Sequence, residues 1–105
     1  MQQLTVADLA TRLAAGESLC IVDVREPWEV DIGRLPDSLH IPMGQITRRL
    51  DELPTDKPLV CLCHHGMRSQ QVAMFLAHQG FSPVFNLTGG IDAWAREIDS
   101  QCPTY

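Results

Sequence analysis

The stretch from Leu59 to Ser69 constrains the fold most, because it joins a short apolar run directly to a polar loop and then to an amphipathic segment. The apolar run ends on Cys63, and the segment from Gln70 to Gln79 has helical spacing. This order predicts a buried strand, a tight loop and the N-terminus of a helix. A cysteine at the end of such a strand lies beneath backbone N–H groups and the positive end of the helix dipole, and both favour the thiolate.

The loop that begins at Cys63 combines residue types that suit a nucleophilic cysteine. Gly66 permits a positive φ or a close backbone approach, so successive N–H groups can point inward around an anion. Arg68 supplies a permanent positive charge, and Ser69 is predicted to cap the first helical turn. We predict that Cys63 is the catalytic nucleophile and that the remaining loop residues bind the substrate, namely His64, His65, Gly66, Met67, Arg68 and Ser69. The two histidines are expected to face solvent and to contribute their backbone N–H groups.

The rest of the chain alternates apolar runs with helical patterns. Strands are predicted before Thr5, over Leu19–Val24, Leu39–Ile41 and Leu59–Cys63, and within Phe81–Thr88. Helices are predicted from Val6 to about Gly16, over Pro27–Val30, Gln45–Leu53, Gln70–Gln79 and Ile91–Ile98. Such alternation with short connections predicts one α/β domain over residues 1–105, with a parallel sheet and helices on both faces.

The predicted topology also places the site. In open parallel sheets, ligands bind beyond the carboxyl ends of the strands, where Asp23, Arg25 and Cys63 are all expected. We interpret Asp23 and Arg25 as supporting residues, with Asp23 orienting the cysteine loop through hydrogen bonds. No cofactor and no metal are predicted.

Composition narrows the function classes. The net charge is -5, from 13 acidic and 8 basic side chains, and an acidic protein lacks the basic face that nucleic acid requires. The apolar runs are too short to cross a bilayer, and the N-terminus shows no signal-peptide pattern. We therefore expect a cytoplasmic protein with no membrane or nucleic-acid partner.

The four cysteines are expected to stay reduced in such a compartment. Cys61 and Cys63 are expected to point to opposite faces of their strand, which argues against a disulfide between them. The same expectation, together with unusual ligand spacing, argues against a zinc site formed by these cysteines with His64 and His65.

Several motifs together resemble the rhodanese, or thiosulfate sulfurtransferase, family over nearly the whole chain. They are Asp23-Val24-Arg25-Glu26 with Glu29 and Gly33, Ile41-Pro42, Cys63-His64-His65-Gly66-Met67-Arg68-Ser69, and Gly80-Phe81, Leu87 and Gly89-Gly90 with Trp94. The resemblance implies a five-stranded parallel sheet and a Cys63 persulfide. It also implies transfer of sulfane sulfur from thiosulfate or a persulfide to a thiol or cyanide acceptor, with a sulfur-relay protein as a further candidate partner.

The two histidines of the loop bear on the identity of the sulfur donor. Thiosulfate-using relatives often carry a fixed cation where this chain has histidine, which is mostly neutral near pH 7. This difference weakens the case for thiosulfate as the donor.

Two other functions stay open: a cysteine-dependent phosphatase or arsenate reductase, and a non-catalytic binding module of the same fold. Four residues separate Cys63 from Arg68, one fewer than in the phosphatase loops, and the tighter loop favours a sulfur atom over a tetrahedral oxyanion. Inactive modules usually lack the cysteine.

Overall fold

Five strands form one parallel sheet in the computed structural model, which describes residues 1–105. The strands are β1 (Gln2–Leu4), β2 (Cys20–Asp23), β3 (Leu39–His40), β4 (Leu59–Leu62) and β5 (Val84–Leu87), in the spatial order β1-β5-β4-β2-β3. Because β4 pairs with both β2 and β5, the loop that follows it leaves the centre of the sheet. The predicted α/β class and the five parallel strands are confirmed.

Three α-helices connect strands, α1 (Val6–Ala14), α2 (Pro27–Ile32) and α3 (Met67–His78), and a fourth, α4 (Gly90–Glu97), follows the last strand. The start of α1 is as predicted, because the Thr5 hydroxyl accepts a hydrogen bond from the Asp8 backbone N–H at 3.1 Å. Gly16 follows α1 with a φ of +79° and allows the chain to turn away. None of the helices combines the length and the hydrophobicity that crossing a membrane requires.

Each face of the sheet buries its own core cluster. On one face, side chains of the sheet pack with α1 and α4, which contribute Leu9, Ile91 and Trp94. On the other face, the sheet packs with α3 through Val72 and Leu76. Burial on both faces explains why the central strands are almost entirely apolar, and the predicted helices on both faces are confirmed.

The predicted helix over Gln45–Leu53 is wrong. Two short 3₁₀ helices take its place, Met43–Arg48 and Leu50–Glu52. Arg49 separates them with φ and ψ of -124° and 22°, outside the α-helical region. The Met43 N–H is also held by the Val24 carbonyl, so the segment is anchored to the sheet while Ile46 still reaches the core. Apolar spacing alone did not distinguish this path from a continuous helix.

One further expectation, that Cys61 and Cys63 point to opposite faces of the strand, is corrected. Cys61 and Cys63 lie in the same core cluster, on the α3 side of the sheet, because residues two apart in an extended segment share a face. Both are free thiols.

Candidate active site

Cys63 directly follows β4 and is 1% exposed. Two groups donate hydrogen bonds to its sulfur: the Gly66 backbone N–H, with N and Sγ 3.1 Å apart, and the Ser69 hydroxyl, with Oγ and Sγ 3.2 Å apart. Gly66 has a φ of +108°, and this left-handed turn brings its N–H back onto the sulfur. Since α3 begins at the next residue, the positive end of its dipole lies beside Cys63.

The predicted cap at Ser69 is wrong in its detail. Helix α3 begins at Met67, three residues earlier than the sequence predicts, and Gly66 occupies the capping position without a side-chain bond. Ser69 therefore lies within the first turn, fully buried. Its hydroxyl contacts Cys63 and the side chain of Asn86 instead of a backbone N–H.

The first turn of α4 holds the backbone of the cysteine loop. The Ile91 N–H donates to the Cys63 carbonyl at 2.9 Å, and the Asp92 N–H donates to the His64 carbonyl at 3.1 Å. The C=O and N–H of a trans peptide point in opposite directions, so these bonds turn the N–H groups of His64 and His65 away from α4. Neither N–H has a backbone partner, which leaves both available to an anion beside the sulfur.

Arg68 is paired with Glu29 of α2 through two parallel hydrogen bonds, Nη1 to Oε1 at 2.6 Å and Nη2 to Oε2 at 2.8 Å. The Tyr105 hydroxyl also donates to Glu29 at 2.7 Å. The bonds from Arg68, chiefly, lower the pKa of Glu29 to about 2. Arg68 therefore fastens α3 to α2, and its charge is largely compensated by the carboxylate.

The expected contact between Asp23 and the cysteine loop is absent. The Asp23 carboxylate accepts hydrogen bonds from Arg25 alone, including Nε at 2.9 Å and Nη2 at 2.7 Å. Arg25 is itself fully buried and also donates to the carbonyls of Glu29 and Gly33 and to the Tyr105 hydroxyl. The pair supports the site indirectly, by fixing α2 and hence the position of Glu29.

His64 and His65 differ in their surroundings. His65 faces solvent as predicted, with its side chain 62% exposed. His64 does not, because the Tyr105 ring stacks on it with centroids 4.1 Å apart. Burial, chiefly, lowers the pKa of His64, so its ring is neutral near pH 7.

The side-chain donor atoms of His64, His65 and Asp92 lie within 4.8 Å of one another. The two imidazole rings are stacked, with centroids 4.0 Å apart and planes 26° apart. Lone pairs of imidazole lie in the ring plane, so these two rings do not converge on one ion. Asp92 is moreover paired with Arg96. His64, His65 and Asp92 are therefore not arranged to coordinate one metal ion.

A shallow depression lies above the buried sulfur. It is lined by Cys63, His64, His65, Met67 and Arg68, so the structure brings together these five of the predicted site residues at one opening. Gly66 and Ser69 lie beneath it, against the sulfur. Met67 is 79% exposed at the rim. The arrangement presents a cysteine sulfur to a small group that enters from solvent and is met by free backbone N–H groups.

Residues 5–97 match the family model of the rhodanese-like domain. The chain belongs to the rhodanese family. A sulfurtransferase from Allochromatium vinosum is 42% identical to it over 96 residues, which cover 91% of this chain and 90% of that protein. Thiosulfate sulfurtransferase GlpE from Pseudomonas syringae is 42% identical over 74 residues, 70% of each chain. The crystal structure of a rhodanese-like domain protein from Staphylococcus aureus has a TM-score of 0.87 at 28% identity and covers 100% of this chain and 99% of that one.

Several residues around the rhodanese cysteine were not among the predicted site residues. Glu29 had a signal, since it belongs to the first motif of the family resemblance. It also carries a carboxylate, the group that pairs with the guanidinium of an arginine such as Arg68. Asn86 had a weaker signal, as a polar residue inside an apolar strand. Tyr105 had none, because the tail shows no periodic pattern. Gly90 had a signal only as part of the Gly89-Gly90 motif of the family resemblance, and it begins the helix that holds the cysteine loop.

Proposed function

We propose that this protein is a sulfurtransferase that carries sulfane sulfur as a persulfide on Cys63. The observation that supports it most is the environment of the Cys63 sulfur: a donated N–H from Gly66, a hydroxyl from Ser69 and an adjacent helix N-terminus. These groups stabilise negative charge on sulfur. The naming of relatives from Allochromatium vinosum and Pseudomonas syringae as sulfurtransferases supports the same reaction class.

The reaction proceeds in two displacements at sulfur. The Cys63 thiolate attacks the outer sulfur of the donor, an S–S bond forms, and the donor's remaining part leaves with the electron pair of the broken bond; with thiosulfate the leaving group is sulfite. The outer sulfur of the persulfide then carries the negative charge, which the free N–H groups of His64 and His65 can meet. A thiolate or cyanide attacks that sulfur and regenerates the Cys63 thiolate, so we expect ping-pong kinetics.

The charges around the opening favour a persulfide over thiosulfate as the donor. Thiosulfate brings two negative charges, and the one fixed cation at the opening, Arg68, is already paired with Glu29. His64, being neutral near pH 7, adds none. Desolvation costs less free energy for a donor that carries less charge. Such a donor is a small-molecule persulfide or the persulfide of a sulfur-relay protein.

Intact-mass measurement after incubation with thiosulfate or with a persulfide donor tests the proposal. We expect the wild type to gain the mass of one sulfur atom, which cyanide then removes. Cys63→Ser should gain nothing, while Cys102→Ser, as a matched control, should behave like the wild type. No gain on the wild type with any donor, or an equal gain on Cys63→Ser, contradicts the proposal.

The phosphatase or arsenate reductase reaction is the alternative that shares a cysteine, an anion loop and an arginine. Only four residues separate Cys63 and Arg68, and the guanidinium edge of Arg68 is engaged by Glu29. Hydrolysis of an aryl phosphate that is lost in Cys63→Ser would favour this alternative. A binding module without catalysis would instead show no sulfur loading and no preferential reaction of Cys63 with an alkylating agent.

A further inference from the structure

Asn86 is a buried amide in the centre of β5, 2% exposed, and its side chain is fully hydrogen-bonded. Its Nδ2 donates to the Gly66 carbonyl at 3.1 Å and to Gln3 Oε1 at 3.0 Å. A backbone carbonyl can only accept, so the atom facing Gly66 must be the nitrogen. This contact fixes the orientation of the amide and places Oδ1 against the Ser69 hydroxyl, 2.5 Å from its Oγ.

The Ser69 hydroxyl therefore has two acceptors but one proton. One acceptor is Asn86 Oδ1, and the other is the Cys63 sulfur, 3.2 Å from Oγ. While Cys63 is a thiol, its S–H can donate to Ser69 Oγ, and the hydroxyl proton can serve Asn86, so every group is satisfied. Once Cys63 is a thiolate, the hydroxyl can donate its proton either to the sulfur or to Asn86 Oδ1, and the other acceptor loses this donor.

We propose that Asn86 is a positioning residue that competes with the Cys63 thiolate for the Ser69 proton. The competition leaves the thiolate with less hydrogen bonding than its surroundings could supply. A thiolate that is less stabilised is a stronger nucleophile, so Asn86 favours attack by the sulfur over mere ionisation.

The same competition favours the loaded state, a step that rests on the proposed function. When Cys63 attacks a sulfane sulfur, the new S–S bond turns Sγ into an uncharged divalent sulfur, and the negative charge moves to the outer sulfur. Sγ then no longer needs the Ser69 proton, and the hydroxyl donates to Asn86 without loss. No proton is transferred in this rearrangement; only the hydroxyl rotates.

The pH dependence of Cys63 alkylation by iodoacetamide tests the competition. In Asn86→Leu the hydroxyl has only the sulfur to serve, so we expect the midpoint of the pH–rate profile to move down by about half a unit to one unit, the effect of one hydrogen bond. In Ser69→Ala the midpoint should move up. In the double variant, Asn86→Leu should add nothing to the shift of Ser69→Ala.

A purely structural role for Asn86 predicts the opposite sign. Loss of its bond to the Gly66 carbonyl would loosen the turn that aims the Gly66 N–H at sulfur, and the midpoint would rise with or without Ser69. A rise in Asn86→Leu, or an equal shift in both backgrounds, overturns the proposal. Alkylation needs no sulfur donor, so failure of persulfide formation and failure of the competition are separate results.

Other charged or titratable groups around the sulfur are left unchanged by these substitutions. They come from every element packed against it: Cys61 in β4, Glu29 in α2, His64 and His65 in the loop, Arg68 in α3, Asp92 in α4 and Tyr105 in the tail. Their effects on the midpoint are common to all four proteins. The double-mutant comparison removes them, because it reports only the coupling between Asn86 and Ser69.

A measurement on the wild type keeps the proposal testable if Asn86→Leu does not fold. The side-chain carbonyl carbon of Asn86 should change its NMR chemical shift over the pH range in which Cys63 becomes reactive, since the Ser69 bond to Oδ1 weakens there. Protein with Cys63 blocked by S-methylation should show no such change. A resonance that stays constant over that range in the wild type overturns the proposal.

Discussion

Gly90→Ala perturbs the cysteine loop without touching any side chain of the site. A Cβ at Gly90 would lie 2.3 Å from the His64 carbonyl oxygen and 2.4 Å from that of Cys63. Real Cβ contacts begin near 3.0 Å, so α4 and the loop must separate by at least about 0.7 Å in a close-packed site. The hydrogen bonds from Ile91 and Asp92 to the loop would stretch accordingly.

The cost has two parts. Alanine at the φ of +60° that Gly90 adopts costs about 1–2 kcal/mol, and relieving the overlap costs about 1–3 kcal/mol more. We expect the free energy of unfolding in urea to fall by about 2–5 kcal/mol. The rate of Cys63 alkylation or sulfur transfer should fall about 10- to 100-fold, because the N–H groups of His64 and His65 would no longer be oriented by α4, and misplacement of such groups by about 1 Å has an effect of this size.

Gly16→Ala is the matched control. Gly16 has a φ of +79° but no atom within 4 Å of the added Cβ, so the variant should lose only about 1–2 kcal/mol for the backbone conformation and keep full reactivity. If Gly90→Ala is as stable as Gly16→Ala and Cys63 reacts at the wild-type rate, the idea that α4 holds the loop is wrong.

Three other predictions concern single groups. The pKa of Glu29 is depressed to about 2. The contribution of Glu29 to the free energy of unfolding is therefore fully present above the ordinary carboxyl pKa and is lost as pH falls through about 2. Urea unfolding should show the free energy of unfolding fall by about 2–3 kcal/mol between about pH 4.5 and pH 2, a fall that Glu29→Gln lacks. Burial raises the pKa of Cys61 to about 12, so mass mapping after iodoacetamide at about pH 8 should find Cys63 modified and Cys61 intact; equal labelling would contradict this. Tyr105→Phe removes a hydroxyl with two hydrogen-bond partners and should lower unfolding free energy by about 1–2 kcal/mol; an unchanged urea midpoint would contradict the observed contacts.

The fold and the position of the cysteine loop were predictable because their signals are local. Apolar runs with turn residues between them define the strands, and alternation with helical patterns defines a parallel sheet. The cysteine loop is contiguous in sequence, so Cys63, Gly66 and Arg68 could be interpreted together. The 3₁₀ segment was not predictable in the same way, because Arg49 leaves helical geometry at a position where the apolar spacing still fits a helix.

The groups that support the loop were not predictable, because their contacts join distant parts of the chain. Glu29 meets Arg68 only once α2 and α3 are placed on the sheet, and Tyr105 reaches Glu29 only through the path of the tail. Asn86 meets Ser69 only because β5 lies beside β4. The error for Asp23 is the opposite one. Its position at a strand end was predicted correctly, but it was expected to contact the distant cysteine loop, whereas its partner is Arg25, two residues along the chain.

The hydrogen bonds from α4 to the cysteine loop have a consequence for the order in which the protein folds. Helix α4 is the last element along the chain, and its N–H groups hold the carbonyls of Cys63 and His64. A growing chain therefore contains the cysteine long before it contains the groups that orient the loop, and closing that long-range contact carries its own entropic cost. Until α4 docks, the carbonyls of Cys63 and His64 lack the N–H groups of Ile91 and Asp92 that hold them. The proposed sulfur transfer would thus depend on completion of the fold, and transient undocking of α4 would stop it without breaking a covalent bond at the cysteine.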